Sequence, residues 1–272
     1  MSAKRVSSST VATDLASYRG DPDFMASLAR GLAIIRAFSG GTGRRTIGTL
    51  ARATGLSRAA VRRCLYTLHR LGYVGLDERG HYTLRPAILS LGYAFLSSSS
   101  LAATARPLLD QVSERVHESC SMAVLDGDAI VYLARSAASR RIMSIDLGVG
   151  SRLPAWCTSM GRVLLAALPQ AEQDDYLARV APIAYTAHTV IKRERLKSML
   201  AEVARSGYAV VDEELELGLR SMAVPVRDLA GQVVAALNVS AHASRVSIAE
   251  LKRKCLAPLS EAASELSHAL PA

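Results

Sequence analysis

A basic helix that follows a glycine turn and precedes a short hairpin leaves few folds open to a chain, and residues 46 to 84 carry that order. Within Ser57 to Leu71, the residues Val61, Leu65, Leu68 and Leu71 recur at helical spacing and form one apolar stripe. Arg58, Arg62, Arg63, Tyr66 and Arg70 take the other faces. One face suits packing inward and the opposite one suits phosphate. Upstream, Ile47, Leu50, Ala51 and Thr54 make a shorter helical pattern that stops at Gly55, and Ser57 is placed to cap the next helix. Downstream, Tyr73 to Leu76 and His81 to Leu84 read as two strands around the polar turn Asp77-Glu78-Arg79-Gly80. The order predicts a winged helix-turn-helix, whose second helix fits a major groove while the wing touches the backbone beside it. A solvated arginine face on an ordinary helical hairpin would explain the arginines. It would not explain why the glycine turn, the capped basic helix and the wing agree. The expected DNA-contacting residues are Thr46, Ser57, Arg58, Ala59, Arg62, Arg63 and Tyr66, with Arg79 on the wing.

Charge follows the same division. Residues 1 to 104 hold 14 Lys and Arg against 5 Asp and Glu, whereas residues 105 to 272 hold 19 of each, so the whole +9 excess lies with the basic helix. A polyanion is attracted there, and the remainder has no such partner written into it. At 272 residues and 50% hydrophobic content the chain suits two buried cores. No long apolar run spans a membrane, and the polar start lacks a signal-peptide core, so a cytoplasmic location is expected. Cys64, Cys120, Cys157 and Cys255 are too scattered for a zinc site, and Cys157 has no base assigned to it. Reduced packing thiols are expected, with no metal and no cofactor. No Gly-x-Ser-x-Gly elbow occurs, and Gly148-Val149-Gly150 lacks the third glycine of a dinucleotide loop, which argues against an enzyme.

In chain order, residues 1–22 are expected to be a disordered arm and residues 23–85 the DNA-binding domain. Phe24, Leu28, Leu32, Ile35 and Phe38 predict a first helix packed under the next two. Gly40 to Gly43 read as a flexible connection, not a phosphate loop. Residues 86–104 predict a linker helix from Pro86 through Leu96, interrupted by Ser97 to Ser100. Another helix follows over Leu101 to Val116. The remainder, residues 105–272, alternates. Strands are expected over Ser121–Asp126, Ala129–Arg135, Ile142–Leu147, Ala209–Val211, Met222–Arg227 and Val233–Ser240. Helices are expected near Ser159–Leu168, Gln170–Val180, Arg193–Ser206 and Ile248–Leu270. This is an α+β domain built on an antiparallel sheet flanked by helices.

Several separated motifs carry a resemblance. They are Phe24 to Leu32, Thr49 to Ser57 and Leu68 to Val74; then Gly150-Ser151-Arg152-Leu153-Pro154 with Gly161 to Ala166; then Ser206-Gly207-Tyr208 with Asp212-Glu213-Glu214 and Gly218; and finally Ala223 to Asp228 with Gly231 and Ala235 to Ser240. In that order the chain resembles the IclR family of bacterial transcription regulators. The resemblance implies a winged helix, a linker helix and a GAF-like effector domain, assembled as dimers or dimers of dimers on double-stranded operator DNA. The start from Asp21 resembles the branch that regulates aromatic-acid catabolism through the β-ketoadipate pathway, with protocatechuate, 4-hydroxybenzoate or β-ketoadipate as the effector. Glyoxylate or sugar-acid regulation is the alternative, and an architectural DNA-binding protein without ligand a more remote one.

Carried over residue by residue, the effector site is expected at Ser159 and Met160 on a helix start, Asp212, Ser221, and Asn238 and Ser240 on one strand face, with Trp156 as an aromatic wall. A helix N-terminus offers free N–H donors and positive potential to a carboxylate. Arg220 or Arg152 could pair that carboxylate, although a surface ion pair is expected for Arg152. Asp212 would oppose an anion unless it is otherwise engaged.

Overall fold

The local chemistry of residues 43–85 builds the first unit. Thr46 and Thr49 form a reciprocal capping box at the start of α2 (Ile47–Thr54), and Gly55 closes that helix in the left-handed conformation at φ 72°. Ser57 accepts from the Ala60 N–H to cap α3 (Arg58–Arg70). Strands β1 (Val74–Leu76) and β2 (Tyr82–Leu84) pair antiparallel as the expected wing, and Arg45 extends it by bridging to Tyr82. Ile34 and Phe38 of α1 (Ala26–Arg36) and its C-terminal turn complete a core with Leu50, Val61, Leu65, Leu68 and Val74.

Two expectations need correction here. Leu28 and Leu32 were expected to face that core, yet both are exposed, and the core-facing residues of α1 are Ala33 and Ile34. This helix carries apolar residues on more than one face, and periodicity cannot choose between them. Leu71, read as the end of the α3 stripe, is exposed because the helix ends at Arg70 and Leu71 lies at its C-cap.

The computed structural model describes residues 17–18, 20–39, 43–98, 100–136 and 147–269. The arm before residue 17 together with residue 19, residues 40–42, the strand expected over Ile142–Leu147 except its last residue, and the tail from residue 270 lie outside the described residues. The chain divides into two units between Phe95 and Leu96, within α4 (Leu89–Ser98). A 3₁₀ turn at Pro86–Ile88 leads into α4, whose backbone is helical through Ser97 and Ser98. Helix α5 (Ser100–Val116) begins at the last of the four serines, so any interruption is confined to the position between the two helices. Only residue 99 among them is outside the described residues.

The second unit is a six-stranded antiparallel sheet in the order β5-β4-β3-β8-β7-β6, from β3 (Ser119–Asp126), β4 (Ala129–Ser136), β5 (Arg152–Pro154), β6 (Ala209–Asp212), β7 (Leu219–Arg227) and β8 (Val233–His242). The short edge strand β5 was not foreseen, since three residues leave no alternation to read. Strand periodicity sorts the two faces. Cys120, Met122, Met222, Val224, Leu237 and Val239 pack against α5 and the closing helix α9 (Ile248–His268). The opposite residues Ala123, Ala223 and Ala236 face α6 (Ser159–Ala166), behind which lie α7 (Gln170–Arg179) and α8 (Arg193–Ser206). The architecture is the expected α+β one. No helix among the described residues is long and apolar enough to cross a membrane.

Candidate functional site

On the first unit, the N-termini of α2 and α3 border one open cleft of about 580 Å³ lined by Thr46, Ile47, Gly48, Arg58, Ala59 and Arg62. Both helix starts bring unsatisfied N–H groups and partial positive charge to that cleft. Arg58, Arg62 and Arg63 are exposed, and none makes an ion pair among the described residues. Ser57 and Ala59 are exposed beside them, and Tyr66 is 66% exposed one turn on. Arg79 sits exposed on the wing turn, where Asp77 accepts from its backbone N–H and from that of His81. Those two bonds, His81 first, hold the Asp77 carboxyl below its usual range. Four of the eight expected contact residues therefore share one cleft, three lie on adjoining exposed surface of α3 and its cap, and Arg79 is on the wing.

The second unit holds a small cavity between α6 and the sheet. Tyr132, Leu153, Met160, Leu215 and Leu219 supply apolar wall, and Thr158, Ser159, Ser221, Asn238 and Ser240 supply polar groups. Its volume is about 20 Å³. The sheet side is formed by alternate residues of neighbouring strands: Ser221 pairs with Ser240 and Ala223 with Asn238, and such small side chains leave a hollow under α6. Thr158 Oγ1 caps the helix by accepting from the Gly161 N–H at 3.2 Å and donates to Pro154 O at 3.0 Å. The N–H groups of Ser159 and Met160, first in the helix, have no intrahelical acceptor.

Two side-chain atoms in this lining are buried without a hydrogen-bond partner, Ser159 Oγ on the helix and Asn238 Oδ1 on the sheet. The Asn238 amide nitrogen donates to Ser240 Oγ at 3.1 Å, which leaves the oxygen to face the cavity. Burial pushes the Tyr132 phenol and the Cys157 thiol each up to about 12, so both are protonated and neutral at physiological pH. Cys157 is therefore a packing thiol of the wall, not a nucleophile.

Five of the seven expected effector residues, Ser159, Met160, Ser221, Asn238 and Ser240, come together here. The other two do not. Trp156 is buried and stacks on Tyr185 with ring centroids 6.0 Å apart, outside the lining. Asp212 is engaged by Arg220, whose Nε donates to it at 2.6 Å, and neither is in the cavity lining. Arg152 pairs on the surface with Asp126, as expected. Sequence reasoning missed Tyr132, Val211, Leu215 and Leu219, whose positions depend on strand register. It also missed the buried pair Arg162–Glu214, although an arginine inside the apolar run Gly161 to Ala166 signals a buried partner.

Known proteins align with both units. The IclR helix-turn-helix domain matches residues 27–78, and the bacterial transcriptional regulator IclR C-terminal domain matches residues 93–268. The chain is 51% identical over 253 residues to the Pca regulon regulatory protein of Pseudomonas putida, covering 93% of this chain and 87% of that one. It is 34% identical over 250 residues to the p-hydroxybenzoate hydroxylase transcriptional activator of Acinetobacter baylyi, covering 90% and 92%. A solved IclR homologue from Microbacterium hydrocarbonoxydans, complexed with 4-hydroxybenzoate, superposes with a TM-score of 0.76 at 25% identity, covering 89% of this chain and 98% of that one. With a cationic helix-turn-helix in one unit, a buried polar cavity in the other and both domains matched in order, the chain belongs to the IclR family of bacterial transcriptional regulators, ligand-responsive DNA-binding proteins and not enzymes.

Proposed function

We propose that this regulator controls genes of aromatic-acid catabolism and takes a small aromatic or keto acid, of the class of 4-hydroxybenzoate, protocatechuate or β-ketoadipate, in the cavity under α6. The observation that carries this reading is the pair of unpartnered buried atoms, Ser159 Oγ on the helix and Asn238 Oδ1 on the sheet, in the lining of one cavity. An unsatisfied buried polar atom costs about 1–3 kcal/mol, which a ligand that both donates and accepts recovers. A carboxylate would accept from the Ser159 hydroxyl and from the first N–H groups of α6, and a ligand hydroxyl would donate to Asn238 Oδ1. The lining contains no charged side chain, so dipoles rather than an ion pair would hold the anion. The present volume of about 20 Å³ accommodates roughly one water molecule. Entry of a ring therefore requires the lining to give way, and the unbranched side chain of Met160 is the apolar one best able to move. The names of the two relatives and the 4-hydroxybenzoate in the solved homologue favour aromatic acids over glyoxylate or sugar acids.

On the DNA side the reading gives base contacts to Arg58, Arg62 and Arg63, and positioning contacts to Thr46, Ser57, Ala59, Tyr66 and Arg79. It assigns residues 23–85 to the operator, 86–104 to a linker and 105–272 to the effector, within a cytoplasmic homodimer or dimer of dimers. Exposed Leu28 and Leu32 on α1, and Leu89 and Tyr93 on α4, give a second copy apolar surface to cover. Thermal-shift and calorimetric titration with the three acids, glyoxylate and a sugar acid test the ligand half. At 100 times Kd, an aromatic or keto acid is expected to stabilise by about 2.7 kcal/mol, with the gain reduced in Ser159→Ala and Asn238→Ala. Stabilisation by glyoxylate or a sugar acid alone would move the regulator to another pathway. Stabilisation by none would leave an architectural DNA-binding protein.

A further inference from the structure

Arg162 and Glu214 are nearly excluded from solvent, with side-chain exposures of 1% and 6%, yet neither lines the cavity. A buried ion pair is poor evidence for stability, because its desolvation cost offsets its attraction, so this placement calls for another account. The guanidinium donates twice, from Nη1 to Glu214 Oε1 and from Nη2 to Oε2, each at 2.7 Å, and its Nε donates to Trp156 O at 3.0 Å. Arg162 stands three residues after Ser159 on α6. Glu214 immediately precedes Leu215, which forms part of the cavity wall.

The contacts continue into a closed ring. Glu214 Oε2 also accepts from the Val190 N–H at 3.0 Å, and Glu214 O accepts from Thr189 Oγ1 at 2.6 Å. Thr186 Oγ1 donates to Glu213 O at 2.7 Å, and Tyr185, one residue earlier, stacks on Trp156. Trp156 returns the ring to Arg162 through its carbonyl. Glu213 itself sits at φ 55°, a conformation its Oε2 helps to hold by accepting from the Gly218 N–H at 2.7 Å. Helix α6 and the Glu213–Gly218 segment, which both contribute residues to the cavity lining, are thus tied together by one carboxylate and one guanidinium.

We infer that Arg162 and Glu214 are positioning residues for the effector: a latch that sets the separation of Ser159 and Met160 from Leu215 and Leu219, and so sets ligand affinity. This rests on the reading of the cavity as the effector site. Bidentate geometry makes the latch sensitive to shape as well as charge.

The test measures, for wild type and variants, calorimetric affinity for 4-hydroxybenzoate, protocatechuate and β-ketoadipate, melting temperature without ligand, and emission of the single tryptophan, Trp156. Glu214→Gln keeps the shape but loses the charge. It is expected to weaken binding of whichever acid the wild type takes by about tenfold and to shift Trp156 emission. Arg162→Lys keeps the charge but loses the fork and is expected to fall between the two. The apolar double variant Arg162→Met/Glu214→Leu removes the pair without leaving a lone buried charge, so it is expected to regain thermal stability but not affinity. If that double variant binds within about twofold of wild type, or if its affinity recovers together with its melting temperature, the pair serves packing alone and the latch is overturned. A wild-type protein that binds none of the three acids, nor glyoxylate or a sugar acid, would overturn the cavity reading and the latch with it.

Discussion

Gly161 occupies a point where no side chain fits, because a Cβ there would lie 2.1 Å from Ala155 O and 2.4 Å from Ala155 Cα. The obstacle is backbone, so Gly161→Ala must push the 3₁₀ turn Ala155–Cys157 away from α6. Overpacking of this kind costs about 1–3 kcal/mol, and chemical denaturation is expected to show at least that loss. On α3, Arg62→Ala and Arg63→Ala, made separately, are each expected to cost about 1–3 kcal/mol of operator affinity and to relax base preference at one position. Fluorescence anisotropy on operator variants measures both, and unchanged affinity in both would remove α3 as the reading helix. The raised thiol of Cys157 has a pH consequence. Its folded value lies above the ordinary 9.0, at about 12, so the folded state retains a proton that the unfolded chain loses. Its stabilisation is fully present below 9.0 and is lost as pH rises towards 12. Denaturant midpoints are therefore expected to fall across that window, and to fall less steeply in Cys157→Ala.

The helix-turn-helix shows how a few capping atoms define elements. Gly55 supplies a left-handed residue without a Cβ penalty, and Ser57 satisfies a donor at the start of α3. Ser57→Ala is expected to lower stability by about 1 kcal/mol and to fray the turn that carries Arg58 and Arg62, a paired loss visible in melting and in operator binding. These elements were legible because each carries its signal within a few residues. The orientation of α1 was not: Leu28 and Leu32 share its periodicity with the residues that reach the core, and only packing against Leu50 and Val61 selects Ala33 and Ile34. Strand β5 was illegible for a different reason, since its three residues gain their identity by pairing with Ala129 to Val131.

At the scale of the whole molecule, the segregation of net charge to residues 1 to 104 governs DNA binding. Raising salt from 50 to 200 mM is expected to weaken operator binding by about 10³-fold or more for six or more phosphate contacts. Arg70→Ala is expected to lower the slope of that dependence by about one. A flat salt response would sink the cationic reading head. The amino-acid order by itself determined the two-part organisation, the capped basic helix with its wing, and the strand alternation that puts Asn238 and Ser240 on one face, because all of these rest on short-range spacing and on composition. Only the tertiary structure decided which polar residues meet. Asp212 was taken by Arg220, Trp156 by Tyr185, and Glu214 by Arg162 across 52 positions. Pairing of that kind depends on sheet register and on how loops return, which residues near one another in the chain do not encode.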